Sequence, residues 1–323
     1  MRRGVAAVAL PLVLLVGCSD AAGSGSSAPE ATPQQPSATS AGPSKSAAPP
    51  TPTPTERDNL ADLAEQAASQ ATEQPGGTIP PAAGPVLGGD ISWPQCPRGL
   101  GIPEKRTLGM PMPLPEARYV VIGLTNGPGF YPNPCLADQV AWVRERRLMA
   151  SAYAVSSYPD AATLARHGDT GPYDGSGRLG ALKNVGYQQA RFNVDSMRRT
   201  GLETPIVWID VEPVPDFEWS GDLVANAAVV EGAARGYVDA GYAIGVYSTP
   251  YLWDGVVGDF ALGVPEWRAA GHTSRAEAAG RCGADWVIQG GDGVLGQWVE
   301  DQRDQNITCG DVHLDLGAWF HQY

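Results

Sequence analysis

The run Pro205-Ile206-Val207-Trp208-Ile209-Asp210-Val211-Glu212-Pro213 delivers two carboxylates at the end of an unbroken apolar segment. A short β-branched run of this kind reads as a buried strand. Residues two apart on a strand face the same side, roughly 6 to 7 Å apart at Cα. Two carboxylates so placed repel, which separates their pKa values and lets one act as an acid while the other stays ionised. The same Asp-x-Glu also suits a simple cap on the following segment. Further acids therefore matter: Asp90 closes the run Val86 to Ser92, and Asp315 lies in Val312 to Leu316. If all these runs share one rim, their carboxylates meet in one site.

The elements between them set that geometry. Tyr119 to Leu124, Leu148 to Val155 and Ala243 to Tyr247 read as buried strands, joined later by Glu266 to Ala270, Val294 to Val299 and Val312 to Leu316. Helical spacing fills the gaps at Leu136 to Arg147, behind an Asn133-Pro134 start, at Ala181 to Thr200 before Gly201, and at Leu223 to Val238. The stretch Asp160 to Gly180 reads as a loop. Alternating strand and helix calls for an α/β domain with a parallel sheet, doubly wound or closed into a barrel, and 86–323 has the length of one such domain.

The N-terminus speaks to location. Arg2 and Arg3 precede the apolar run Val5 to Val16, which ends in Leu15-Val16-Gly17-Cys18. A basic start, a short apolar core and small terminal residues make an export signal over 1–17, too short to span a membrane as a mature helix. The ending is similar to a bacterial lipobox, which implies lipidation of Cys18 and anchoring to the outer face of the cytoplasmic membrane. Residues 18–85 are rich in Pro, Ser, Ala and Thr and read as an extended tether, with one short, marginal helix at 58–71. Apart from Cys18 there are four cysteines, Cys96, Cys135, Cys282 and Cys309. An exported chain favours two disulfides, and of three pairings Cys96 with Cys135 and Cys282 with Cys309 join sequence neighbours.

In order, several segments resemble glycoside hydrolase family 25, the bacterial and phage lysozymes. Gly89-Asp90-Ile91-Ser92 is similar to the opening Asp-Val-Ser strand, Tyr119 to Gly127 to the apolar strand that runs into a Thr-x-Gly turn, and Ala152-Tyr153 to the Ala-Tyr strand. Ile209-Asp210-Val211-Glu212 is similar to the Asp-x-Glu signature and Gly245-Val246-Tyr247-Ser248-Thr249-Pro250 to the Tyr-Thr-x-Pro turn. Trp298 and Val312-His313-Leu314-Asp315 resemble the closing segments. The resemblance implies a single-domain, irregular TIM-like β/α barrel that hydrolyses peptidoglycan or a related wall polysaccharide. It implies Glu212 as general acid, Asp210 and Asp90 as stabilising carboxylates, and Asp315 as a rim residue. Tyr153, Tyr247, Trp208 and Trp298 could then offer ring faces and hydroxyls to sugars. Departures include Gly123-Leu124-Thr125-Asn126-Gly127, where the family carries Lys-Ala-Thr-Glu-Gly, and Ala154 in place of a histidine; they keep open a barrel that binds wall glycan or a protein partner without cutting.

Composition narrows the remaining classes. Lys+Arg 22 against Asp+Glu 35 gives a net charge of −13, which argues against nucleic acid as a partner. His167, His272, His313 and His321 lack metal-ligand spacing, and there is no Gly-x-Ser-x-Gly or phosphate loop. No metal or cofactor is expected, and a monomer is.

Overall fold

β-branched runs become strands that close on themselves. The structure, a computed structural model, describes residues 54–73 and 79–323. Strand β1 (Leu87–Ile91) pairs in parallel with β2 (Tyr119–Gly123), and the parallel ladder continues through β3 (Met149–Val155), β4 (Ile206–Asp210), β5 (Ala243–Ser248), β6 (Glu266–His272) and β7 (Gly293–Glu300). Strand β8 (Arg303–Thr308) turns back antiparallel to β7 and pairs antiparallel with β1, so eight strands form a closed ring. A two-residue strand, β9 (His321–Gln322), adds to the start of β3.

Alternation sorts the side chains into two cores. Inside the ring pack Tyr119, Val121, Ile206, Trp208, Trp267 and Leu295, among others. Outside it, Val120, Ile122, Val207, Ile209, Ile244 and Val246 meet the helices. These are α2 (Leu136–Arg146), α3 (Ala161–His167), α4 (Arg178–Thr200), α5 (Leu223–Asp239), α6 (Pro250–Val257) and α7 (Arg275–Gly280). The chain's last residues plug the ring's lower end: Phe320 lies 4.3 Å from the Tyr119 ring and Trp319 lies 6.3 Å from Trp208. The two disulfides join Cys96 to Cys135 and Cys282 to Cys309. The first ties the loop after β1 to the start of α2, and the second ties the segment after α7 to the end of β8.

Three expectations change. The expected strand at 312–316 is a pair of 3-10 turns, Gly310–Leu314 and Leu316–Ala318, and the eighth strand is 303–308 instead. Its inward positions are Asp304, Asn306 and Thr308, so it lacks the apolar alternation that marks a strand. The stretch 160–180 contains α3, started by Asp160, whose carboxylate accepts from the Thr163 N–H at 2.7 Å. The tether's helix is longer than expected, α1 (Pro54–Glu73), and is docked: Leu63 and Ala67 are buried in the outer core and Gln70 donates to the Val238 carbonyl at 2.8 Å. The expected signal segment 1–17, Cys18 and the tether up to residue 53 lie outside the described residues.

Candidate active site

Parallel strands share one direction, so β1 and β4 present their last residues at one mouth of the ring. Asp90 is the fourth residue of β1, Asp210 ends β4 and Glu212 follows two residues later. The turn that carries Glu212 is held by its neighbours: Ser248 Oγ donates to the Val211 carbonyl at 2.7 Å, the Val211 N–H to the Tyr247 carbonyl at 3.0 Å, and Trp219 Nε1 to the Glu212 carbonyl at 3.0 Å. The antiparallel register of β8 sets Asp304 directly across from Asp90. Four carboxylates from three places in the sequence therefore face one another.

Their environment favours protons. Burial raises Glu212 to about 7, and the negative charge of Asp304 adds to the effect. Asp304 is raised to about 6 by burial, opposed by His272. Asp210, 2 % exposed, stands well above the usual carboxylate range through burial, then through Glu212 and Asp90. Asp90 is also raised by burial and by Asp304, while amide hydrogen bonds from Gln297 and Asn306 pull the other way and Glu212 pushes up. Gln297 Nε2 donates to Asp90 Oδ1 at 3.0 Å and Asn306 Nδ2 donates to the same oxygen at 2.7 Å. Behind them, Tyr247 Oη donates to Gln297 Oε1 at 2.8 Å and Trp267 Nε1 donates to Asn306 Oδ1 at 2.7 Å. The cluster thus offers a carboxyl poised near neutrality among neighbours that burial also holds toward the protonated form, a setting suited to acid-assisted bond cleavage.

Of the residues expected from sequence, Glu212, Asp210 and Asp90 come together, with Tyr153 beside them; burial next to Asp90 raises the Tyr153 phenol. Tyr247 is buried and orients Gln297 rather than lying open to a ligand. Trp208 is fully buried inside the ring, edge-on to Trp267 at 6.2 Å, and is core. Trp298 points outward against Ala278 and Ile307 and donates to Glu300 at 3.1 Å. Asp315 sits at the opposite end of the ring, exposed in a groove with Asp292, Asp311 and Trp319. Its acidic place at the mouth is taken by Asp304. Asp304, Gln297, Asn306 and Trp267 escaped the sequence reading; the one available signal was the mostly polar run 303–308 directly after a clear strand.

Comparison with known proteins finds similarity over parts of the chain. Residues 180–275, which include Asp210 and Glu212, match the family described as "Lysozyme-like protein 1". A probable GH family 25 lysozyme of Dictyostelium discoideum is 38% identical over 66 residues, 20% of this chain and 30% of that protein. The chain spans about a third of the length of that curated family 25 relative. Similar solved structures include a muramidase from Acremonium alcalophilum, with 17% identity, a TM-score of 0.46 and coverage of 72% of this chain and 98% of the other. A bacterial lysozyme from Streptomyces coelicolor is also similar, with 14% identity, a TM-score of 0.46 and coverage of 73% of this chain and 99% of the other.

Proposed function

We propose that this chain is a cell-envelope glycoside hydrolase that cleaves muramidase-type bonds in peptidoglycan. The observation that carries the reading is Glu212, raised to about 7 by burial beside the carboxylates of Asp210 and Asp90 at the mouth of the barrel. In this reading Glu212 protonates the glycosidic oxygen, and Asp210 and Asp90 stabilise the positive charge that develops on the sugar. The lysozyme-like family match and the muramidases of similar fold support it. Purified chain should release reducing ends from peptidoglycan, and Glu212→Gln should lower the rate by about a thousand-fold or more. Equal release by the parent and Glu212→Gln would sink the assignment.

We also propose that the protein acts outside the cytoplasmic membrane, as a monomer held there by a lipid on Cys18. Support comes from Arg2-Arg3, the apolar run and Leu15-Val16-Gly17-Cys18. Metabolic labelling with a radiolabelled fatty acid should mark the parent and not Cys18→Ser; equal labelling of both would refute the anchor.

A further inference from the structure

Side-chain donors reach the acid cluster at Asp90, and they converge there from two adjacent strands. Gln297 on β7 and Asn306 on β8 are register partners. Both amides donate to Oδ1 of Asp90, at 3.0 and 2.7 Å. The Asn306 amide is not free to turn. An indole N–H can only donate, so Trp267 Nε1 at 2.7 Å holds the Asn306 oxygen and forces its NH2 toward Asp90. Tyr247 Oη donates to the Gln297 oxygen at 2.8 Å, and since a phenol can also accept, the sense of this amide is set by the acceptor oxygen of Asp90. Asn306 and Trp267 are 0 % and 1 % exposed, so packing fixes this arrangement. By contrast, Asp210 Oδ1 is buried without a partner.

We propose that Gln297 and Asn306 are positioning residues that orient Asp90 and favour its carboxylate over the acid, leaving Glu212 as the group that delivers the reaction's proton. The inference rests on the glycosidase reading and deepens it. Hydrogen bonds to a charged acceptor are about twice as strong as those between neutral groups, so two amide donors stabilise the carboxylate over the acid. The groups acting on or near Asp90 make this necessary. Asp304 on β8, Glu212 after β4 and Asp210 on β4 are acidic, while Tyr119 on β2, Tyr153 on β3 and Tyr247 on β5 bring phenols. Burial and like charge push a proton onto Asp90, and the amide pair opposes both.

The test uses the full chain carrying Gln297→Met, of similar length without a donor, and separately Asn306→Ser, each checked for a parental circular-dichroism spectrum. Two variants keep the test alive should one fail to fold. The first measurement is kcat/KM against pH on solubilised peptidoglycan glycan. The expected result is an acidic limb displaced upward by about one pH unit, with about a ten-fold loss at low pH that is recovered toward neutrality. The alkaline limb, set by Glu212, stays in place. A uniform loss at every pH would overturn the proposal, because a merely structural defect scales the curve without moving it. The second measurement needs no turnover: 13C NMR titration of labelled aspartate carboxyls, with Asp90 assigned through Asp90→Asn. An upward displacement of the Asp90 midpoint by about one unit in either variant supports the amide role, and an unmoved midpoint overturns it. Inactive parent protein with a displaced Asp90 midpoint would refute the glycosidase reading while leaving the control of Asp90 ionisation established.

Discussion

At the residue scale, Gly123 and Asn126 account for the end of β2, where the resemblance to family 25 breaks. A Cβ at Gly123 would lie 2.5 Å from Ser92 Cβ and 2.8 Å from Tyr153 Cζ. The inward space that a lysine would occupy belongs to Tyr153. Asn126, 1 % exposed, has become a pin for the loop after β1: its oxygen accepts from the Ile102 N–H at 2.7 Å and its amide donates to the Lys105 carbonyl at 2.8 Å. Lys105 then reaches the loop after β4, donating to the Pro215 carbonyl at 2.8 Å and lying 3.7 Å from Asp216. These contacts tie the loop after β1 to the loop after β4. Asn126→Ala should cost about 1 kcal/mol in urea unfolding and render the 99–107 loop protease-sensitive, because two part-buried backbone groups lose their partner. Stability within a few tenths of a kcal/mol of the parent would show that water replaces the pin.

At the scale of elements, α1 belongs to the barrel rather than to a tether. Its buried stripe, Leu63 and Ala67 with Leu60 at the edge, covers the outer face near β5 and α5. Leu63→Ala should cost about 2 to 4 kcal/mol. A chain beginning at residue 54 should melt well above one beginning at residue 86; coincident melting curves would show that the helix adds nothing. The sequence allowed a helix here because Leu60 and Leu63 share a face, and its marginal propensity hid the docking, which depends on a distant partner surface. The same distinction runs through the chain. Strands β1 to β5 were legible because both their faces are buried and their runs are apolar. Strand β8 was not, because its inner face serves the acid cluster. Asp315 was mistaken for a rim residue for the same reason: an apolar-looking segment, Val312 to Leu316, stood in for a polar strand that periodicity does not mark. Glu212, Asp210 and Asp90 were legible because abrupt carboxylates after apolar runs are a local pattern, whereas the amides behind Asp90 depend on register across β7 and β8.

For the whole molecule, the clustered acids set stability against pH. Glu212, raised to about 7, and Asp304, raised to about 6, hold protons in the folded chain at pH values where the unfolded chain has released them. Their contribution favours the fold fully below about pH 4, the ordinary carboxylate range, and is lost as pH rises through about 6 and 7. The melting temperature should therefore fall between pH 5 and pH 8. Glu212→Gln should flatten that slope and gain on the order of 1 to 3 kcal/mol at pH 8, trading activity for stability. A parent whose melting temperature rises across the same interval would contradict this account.

The ring's closure also orders events in time. Strand β1 gains its second neighbour only when β8 arrives, more than two hundred residues later, at Leu87 opposite Ile307 and Asp90 opposite Asp304. The seal formed by Trp319 and Phe320 comes later still. A growing chain that stops short of residue 303 has a barrel with two raw edges, an unplugged base and no Asn306 to hold Asp90. The acid cluster is therefore ordered only once the last strand has paired, and the long loop that this pairing closes makes it a late step in folding.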